Sequence, residues 1–178
     1  MDFTEKTLEK EYLFRGRVVT LHKDRVLTPE GKETTREVCE HGGGVCILAL
    51  TEEGEVLLVR QYRYAAGKEL LELPAGKLEA GEDPRECGIR ELREETGARA
   101  ESFEHLASFY STPGFCSEII HIYVAEGLTF GSQHLDPNEF LEVLRVPLER
   151  AKEMALSGEI EDGKTIIGIL SYLAGKKA

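Results

Sequence analysis

Residues 76–98 read GKLEAGEDPRECGIRELREETGA and contain a helix with both of its ends marked. Asp83 has a short acceptor side chain that can cap free backbone amides, and the proline that follows it suits the first helical position. Gly97 is a typical C-terminal stop because glycine readily adopts a left-handed conformation. The stretch therefore predicts a helix from Pro84 to about Thr96, with a loop on either side.

Three carboxylates crowd one face of this predicted helix. Glu91, Glu94 and Glu95 stand at i, i+3 and i+4, where like charges lie one above the other and repel. Ile89 and Leu92 point roughly the other way, so we expect them to pack on a core. One interpretation is a solvated acidic face. The other is a divalent cation, because carboxylate oxygens suit magnesium or manganese.

The wider spacing distinguishes these two interpretations. The stretch follows the pattern G-x5-E-x7-R-E-U-x-E-E-x-G, where U is a bulky aliphatic residue, through Gly76, Glu82, Arg90, Glu91, Leu92, Glu94, Glu95 and Gly97. This pattern resembles the signature of the Nudix hydrolases. Ala98 is smaller than the aliphatic residue that usually ends the signature, which affects local packing but no ligand. The resemblance implies an α/β/α sandwich with a mixed sheet, in which the signature forms a loop, helix, loop unit.

Composition limits the classes of partner. The chain has 178 residues and a formal net charge of −11, which argues against binding a nucleic-acid backbone. No segment approaches the roughly 18 apolar residues of a membrane span, and the charged residues 1–12 do not resemble a signal peptide. Cysteines 39, 46, 87 and 116 lack a paired C-x-x-C spacing, so we expect reduced core thiols. These features predict a cytoplasmic protein with no membrane partner.

The order of the predicted elements is that of a mixed α/β protein. Residues 1–42 form a strand-rich, antiparallel N-terminal segment, with a turn at 29–31 between two strands. Residues 43–178 form the catalytic domain that the resemblance implies. Its strands are predicted in VCILAL, EVLLVRQYRY, LLELPAG, SFEHLASFYS and EIIHIYVAEGL. Helices are predicted to follow the signature strand, to start at Pro147, and to run from Lys164 to Gly175.

The resemblance also assigns roles within the signature. Nudix enzymes hydrolyse a nucleoside diphosphate linked to another moiety, which implies Mg²⁺, or Mn²⁺, as cofactor. Glu91 and Glu95 are the first candidates for metal ligands, with Glu94 third, and the backbone carbonyl of Ala75 is a further candidate. Glu95 is also a catalytic candidate. Glu82 and Arg90 are expected to pair with each other and to hold the loop against the helix.

Similarity outside the signature points to one branch of the family. Pro113 lies 15 residues beyond Ala98, and a proline near that distance is typical of the ADP-ribose pyrophosphatase branch. The implied reaction is hydrolysis of ADP-ribose to AMP and ribose 5-phosphate. In this branch the N-terminal strands commonly exchange between two subunits, so a homodimer is expected, with the exchange in residues 1–42.

Further candidates come from the same resemblance. Glu139, in an acidic loop, is favoured as the carboxylate that deprotonates or orients the attacking water, and Glu142 is the alternative. Arg63 is similar to a phosphate-contacting arginine. Glu118 is a candidate for a ribose hydroxyl. Arg36 and Glu37 are candidates for contacting adenine.

Two other functions stay open at this point. One is a Nudix hydrolase for another nucleoside diphosphate derivative, such as an ADP-sugar or NADH, or for an oxidised nucleoside triphosphate. The other is a regulatory module that binds ADP-ribose without cleaving it. The complete set of signature carboxylates and the absence of a basic appendage disfavour the second alternative.

Overall fold

The computed structural model describes residues 1–175, which divide into two compact units. The first unit contains Met1–Gly43 and Tyr110–Ile119. The second contains Gly44–Phe109 and the chain from Ile120 onward. Within residues 1–175, no helix is long and apolar enough to cross a membrane.

The first unit is built on a three-stranded antiparallel sheet. Its strands are β1 (Lys6–Arg15), β2 (Val19–Leu27) and β3 (Glu33–His41), in the order β1-β2-β3. The predicted hairpin corresponds to β2 and β3, and the turn between them closes with a hydrogen bond from the Gly31 N–H to the Thr28 carbonyl (2.9 Å). The sequence did not predict β1 as a separate strand. All ten of its residues are exposed, so it lacks the apolar alternation that marks a half-buried strand.

The second unit contains the remaining strands and all three helices of the described chain. The elements, in chain order, are β4 (Gly44–Ala49), β5 (Glu55–Arg63), β6 (Lys68–Glu72), β7 (Ala75–Lys77), α1 (Pro84–Thr96), β8 (Ala98–Arg99), β9 (Ser102–Tyr110), β10 (Ile119–Glu126), β11 (Thr129–Phe130), β12 (Leu141–Pro147), α2 (Leu148–Ser157) and α3 (Gly163–Gly175). The main sheet has the order β7-β4-β10-β9, and a second sheet has the order β12-β5-β6. Strand β4 pairs in parallel with β10 and antiparallel with β7, so the main sheet is mixed.

Strand β4 is the centre of the core because both of its faces are covered. Val45 and Ile47 belong to an apolar cluster that includes Leu92 of α1. The alternate residues of β4 belong to a second cluster, which includes Met154 of α2 and Ile169 of α3. Burying one large aliphatic side chain such as Ile47 contributes roughly 1.5–3 kcal/mol. These two clusters confirm the α/β/α sandwich with a mixed sheet, and they explain why VCILAL is a continuous apolar run rather than an alternating one.

Helix α1 begins and ends where the sequence predicts. The Asp83 carboxylate accepts hydrogen bonds from the backbone N–H groups of Arg85 (2.9 Å) and Glu86 (3.3 Å). At the other end, Gly97 has φ of 70° and donates its N–H to the Arg93 carbonyl (2.9 Å). Both ends therefore use the chemistry that the sequence provides.

The face of α1 that is buried differs from the predicted one. Leu92 is buried, as expected, but the prediction for Ile89 is wrong because 38% of it is exposed. The buried face instead contains Cys87, Gly88, Glu91, Leu92 and Glu95. Gly88 allows this close approach, since a Cβ atom there would lie 2.8 Å from the Phe103 ring. The helix thus packs on the sheet through a face that carries two of its carboxylates.

A buried ionic network connects the end of β6 to the start of α3. The Glu72 carboxylate accepts two hydrogen bonds from the Arg63 guanidinium, at 2.6 and 2.7 Å, and a third from the Lys164 ammonium. Lys164 also donates to Asp162 (3.0 Å), and the hydroxyl of buried Thr165 receives the backbone N–H of Leu73 (2.7 Å). Burial alone would raise the pKa of Glu72, but the hydrogen bonds and charges of its two cationic partners outweigh it and lower that pKa.

The Glu72 network predicts an acid-dependent loss of stability. The folded-state pKa of Glu72 lies below its unfolded value of about 4.3, so its contribution is present above that pH and is lost as the pH falls through the folded pKa. At neutral pH, Glu72→Gln leaves two buried cations without a carboxylate and should lower the free energy of unfolding by about 3 kcal/mol. At a pH below the folded pKa the wild-type carboxyl is itself protonated, and the difference should shrink.

Urea unfolding of both proteins at the two pH values measures this difference. Glu69→Gln, which changes an exposed glutamate of the same strand, is the matched control and should cost little at either pH. An equal loss of stability for Glu72→Gln at both pH values would contradict the assignment.

Candidate active site

The signature glutamates of α1 lie against the end of β7. Glu91 is 9% exposed and Glu95 only 2% exposed. The backbone N–H of Ala75 donates a hydrogen bond to Glu95 Oε2 (2.9 Å). A Cβ atom on Gly76 would lie 1.9 Å from the carboxyl carbon of Glu91. The lack of a side chain at position 76 lets the Glu91 carboxyl lie directly on the strand backbone.

Arg90 lies at the centre of the acidic cluster. Its Nε and Nη2 donate to the two oxygens of Glu82, at 3.0 and 3.2 Å, so the pairing expected from the sequence is present. Its Nη1 also donates to Glu91 Oε1 (2.7 Å) and Glu94 Oε2 (3.0 Å), which the sequence analysis did not anticipate. Glu82 further accepts the backbone N–H of Glu79 (2.9 Å), which attaches the loop to the helix.

The cluster holds more negative charge than Arg90 can offset. The hydrogen bond from Arg90 is the main reason that the pKa of Glu82 falls to about 2. By contrast, burial, followed by the charges of Glu91 and Glu139, raises the pKa of Glu95 to about 8. Burial also raises the pKa of Glu91, although Arg90 opposes it. The positive charge of Arg90 therefore balances the negative charge of Glu82, at the loop end of the cluster. It does not fully balance the negative charge of Glu91 and Glu95, which lie against β7.

The two candidates for the catalytic carboxylate lie in different surroundings. Glu139 is exposed in the loop before β12, where its N–H donates to the Asp136 carbonyl (2.9 Å). Its charge is among the causes that raise the pKa values of both Glu91 and Glu95. Glu142 lies on β12 opposite Arg60 and forms an ion pair with it. Electrostatic coupling to the α1 carboxylates thus favours Glu139.

Arg63 belongs to the Glu72 network and also feels the charge of Glu95. Its pKa is raised mainly by the hydrogen bond to Glu72, and the charge of Glu95 is a further cause. Glu72 therefore holds the guanidinium by its Nε and Nη2 edge.

Glu72 and Lys164 are residues that sequence reasoning missed. The available signal was a charged residue in the apolar run LLELPAG and a lysine at the start of an apolar helix, because a charge placed in a buried element requires a partner. Neither signal identifies the residue with which the charged side chain pairs.

The remaining candidates belong to the first unit. Arg36 donates through Nε to Glu5 Oε2 (2.9 Å) and through Nη2 to the other oxygen of that carboxylate. Glu37 is exposed on β3. Glu118 lies 3.2 Å from Nδ1 of His41. The structure therefore gives each of these residues a local environment within the first unit, while their assigned contacts with substrate stay predictions.

The donor chemistry of the α1 cluster fits a hard divalent cation. Buried carboxylate oxygens with uncompensated charge are the ligands that Mg²⁺ and Mn²⁺ prefer. Among residues 1–175, however, no group of three or more His, Cys, Asp or Glu side chains is arranged to hold a metal ion. Arg90 donates hydrogen bonds to Glu91 and Glu94, and the backbone N–H of Ala75 donates one to Glu95.

Comparison with known proteins identifies the family. The family model described as NUDIX domain matches residues 40–166, and one described as nucleoside diphosphate sugar hydrolase N-terminal domain matches residues 5–39. A Bacillus subtilis (strain 168) protein named ADP-ribose pyrophosphatase is 43% identical over 176 residues, which cover 98% of this chain and 95% of that protein. A Bacillus methanolicus protein named methanol dehydrogenase activator is 44% identical over 178 residues, which cover 99% of this chain and 96% of that protein.

A solved structure described as an ADP compounds hydrolase has the same fold. Its TM-score is 0.87 at 22% sequence identity, and the match covers 99% of this chain and 97% of that one. The NUDIX match takes in most of the chain, and the buried glutamates of α1 lie inside it. The chain is therefore a member of the Nudix hydrolase family.

Proposed function

We propose that this enzyme hydrolyses the pyrophosphate bond of ADP-ribose, giving AMP and ribose 5-phosphate, with Mg²⁺ as its cofactor and Mn²⁺ as an alternative. The observation that carries the proposal is the buried, undercompensated carboxylate pair of Glu91 and Glu95 at β7. The relative named ADP-ribose pyrophosphatase, aligned over nearly the whole chain, supports the choice of substrate.

The residues of α1 hold the cation. Glu91, Glu95 and Glu94 supply carboxylate oxygens, and the carbonyl of Ala75 is a further ligand. Nudix hydrolases generally use divalent metal ions, and such an ion supplies charge neutralisation for the phosphoryl oxygens of a pyrophosphate. Arg90 keeps its bonds to Glu82 and so holds α1 and the loop in register while its other bonds are released.

Two further side chains act on the reacting groups. Glu139, in its loop position, accepts the proton of the attacking water, because its charge already acts on both metal-binding carboxylates. Arg63 contacts a phosphate, since Glu72 holds its planar fork in place. Glu118 contacts a ribose hydroxyl, and Arg36 and Glu37 contact the adenine.

The proposal includes a homodimer and a cytoplasmic location. Strand β1 is an edge strand whose ten residues are all exposed, and it carries Leu8, Tyr12, Leu13 and Phe14. Such an edge is a site of association, which supports a homodimer formed through residues 1–42. The four cysteines are all free, which supports a reducing, cytoplasmic compartment.

A second candidate substrate class is favoured by one comparison. Residues 5–39 match the N-terminal domain described for nucleoside diphosphate sugar hydrolases. The alternative is therefore hydrolysis of an ADP-sugar or a related nucleoside diphosphate sugar, with the same metal site and the same bond cleaved.

Product analysis separates these alternatives. With Mg²⁺ and ADP-ribose, the purified protein should release AMP and ribose 5-phosphate faster than it cleaves ADP-glucose or NADH. Glu95→Gln removes a metal-binding carboxylate and should lower kcat/KM by at least about 10²-fold, whereas Glu86→Gln on the exposed side of the same helix should leave it unchanged. Chelation should abolish turnover, and Mn²⁺ should restore it.

The outcomes of this assay are distinct. Faster cleavage of ADP-glucose would show that an ADP-sugar is the preferred substrate, with the same pyrophosphate bond cleaved at the same metal site. Binding of ADP-ribose without turnover would instead support a regulatory module.

Glu139 and Glu142 can be compared directly. Glu139→Gln should lower kcat by about 10²–10⁴-fold, because the side chain loses its capacity to accept a proton. Glu142→Gln breaks only an exposed ion pair with Arg60 and should change kcat little. Single-turnover kinetics with both variants, at matched metal concentration, measures the difference. A larger loss for Glu142→Gln would reverse the assignment.

The homodimer predicts a mass of twice the chain in solution. Leu13→Asp places a charge on the exposed apolar edge of β1 and should shift the light-scattering mass toward the monomer at low protein concentration. Tyr64→Asp, at an aromatic residue of the second unit that is 92% exposed, is the control and should leave the mass unchanged. A wild-type protein that is monomeric at every concentration would refute the dimer.

A further inference from the structure

Two of the four cysteines lie side by side in the first unit. Cys39 of β3 and Cys116 of the segment 111–118 are partners in an isolated parallel β-bridge. Partners in such a bridge direct their side chains to the same face, and neighbouring strands lie about 4.8 Å apart. A disulfide spans about 4.4–6.8 Å between Cα atoms, so the backbone already holds the two thiols within its reach.

Hydrogen bonds fix this register on both sides of Cys116. The Cys39 N–H donates to the Phe115 carbonyl (2.7 Å), and the Ser117 N–H donates to the Cys39 carbonyl (3.0 Å). The His41 N–H donates to the Ser117 hydroxyl (3.0 Å). Burial, and then the neighbouring Cys116, raise the pKa of Cys39.

The other two cysteines provide an internal contrast. Cys46 and Cys87 are fully buried, as expected for core thiols, and burial raises the pKa of each to about 12. Thiols in such surroundings form little thiolate and are inert. Cys39 and Cys116 are only partly buried, so the expectation that they are core thiols is wrong. They are the accessible pair of the described chain.

We propose that Cys39 and Cys116 are a site of reversible oxidative modification, at which a low-molecular-weight disulfide converts the two thiols into an intrachain disulfide. One protein thiolate attacks a sulfur of the reagent, which breaks the S–S bond of the reagent and releases one thiol. The second protein thiolate then attacks the protein sulfur of the mixed disulfide and releases the other thiol. Two protein thiols are oxidised, one reagent disulfide is reduced, and both protons end on the released thiols.

The bond would fasten the segment 111–118 to β3. It closes a long loop, between residues 39 and 116, which restricts the unfolded chain more than a short loop does. The fastened segment carries Glu118, and β3 carries Arg36 and Glu37. Any effect of oxidation on substrate binding therefore rests on the proposed function, whereas formation of the bond itself does not.

Intact-mass spectrometry of the full chain tests the bond directly. Protein treated with glutathione disulfide should lose two hydrogens, and alkylation after denaturation should modify two thiols instead of four, with peptide mapping that joins residues 39 and 116. Dithiothreitol should reverse both changes. Cys39→Ser and Cys116→Ser should each stop at a mixed disulfide with one glutathione, and Cys46→Ala should behave as the wild type does.

Thermal unfolding provides a second measurement. The oxidised protein should unfold at a temperature higher by on the order of 5 °C, and this shift should be absent in Cys39→Ser. An unreacted protein, a persistent mixed disulfide in the wild type, a linkage to Cys46 or Cys87, or a bond between two chains would each overturn the proposal. These readouts do not depend on ADP-ribose hydrolysis, so failure of the proposed function would leave them unchanged.

Discussion

The burial of like charges on one face of α1 is the constraint on which the second unit depends. Glu91 and Glu95 are packed against β7, where water cannot screen them, and burial raises the pKa values of both. A helix that served only to cover a sheet would place leucine or valine at these positions. Burying carboxylates costs free energy, but the same weakly screened environment strengthens their interaction with a cation.

Arg90 offsets part of the charge of the acidic cluster. One guanidinium reaches Glu82, Glu91 and Glu94 at once, so it joins the loop to the helix and offsets part of the repulsion. Its planar fork is suited to this task, and a lysine could not make the same set of bonds. Two of its three partners, Glu91 and Glu94, are also candidate metal ligands.

The ionic cluster around Glu72 differs from the α1 cluster because its buried charge is balanced. Glu72 is almost fully buried but has two cationic partners, so its pKa is lowered rather than raised. It attaches α3 to β6 through Lys164 and holds the guanidinium of Arg63. One buried glutamate is therefore fully compensated and structural, whereas the α1 glutamates are undercompensated and available for chemistry. Both clusters are buried, so it is the balance of charge that distinguishes the candidate active site on α1 from the structural cluster at Glu72.

The local features of the fold can be predicted from the sequence alone. Asp83, Pro84 and Gly97 set the ends of α1 because caps and stops act through the nearest backbone amides and carbonyls, and the continuous apolar run of β4 marked a strand covered on both faces. The spacing of the signature residues also identified the family. All these signals lie within one element or one short window, so they can be found without knowledge of distant contacts.

Which face of each element is buried, and which residues it contacts, depends on long-range packing. The sequence placed Ile89 toward the core, yet packing on β4 and β7 buries the face with Glu91 and Glu95 instead. The partners of Glu72, the contact of Gly76 with Glu91, and the adjacency of Cys39 and Cys116 join residues 9 to 92 positions apart along the chain. Such contacts follow from how strands and helices are arranged in space, and side-chain periodicity within one element carries no information about that arrangement.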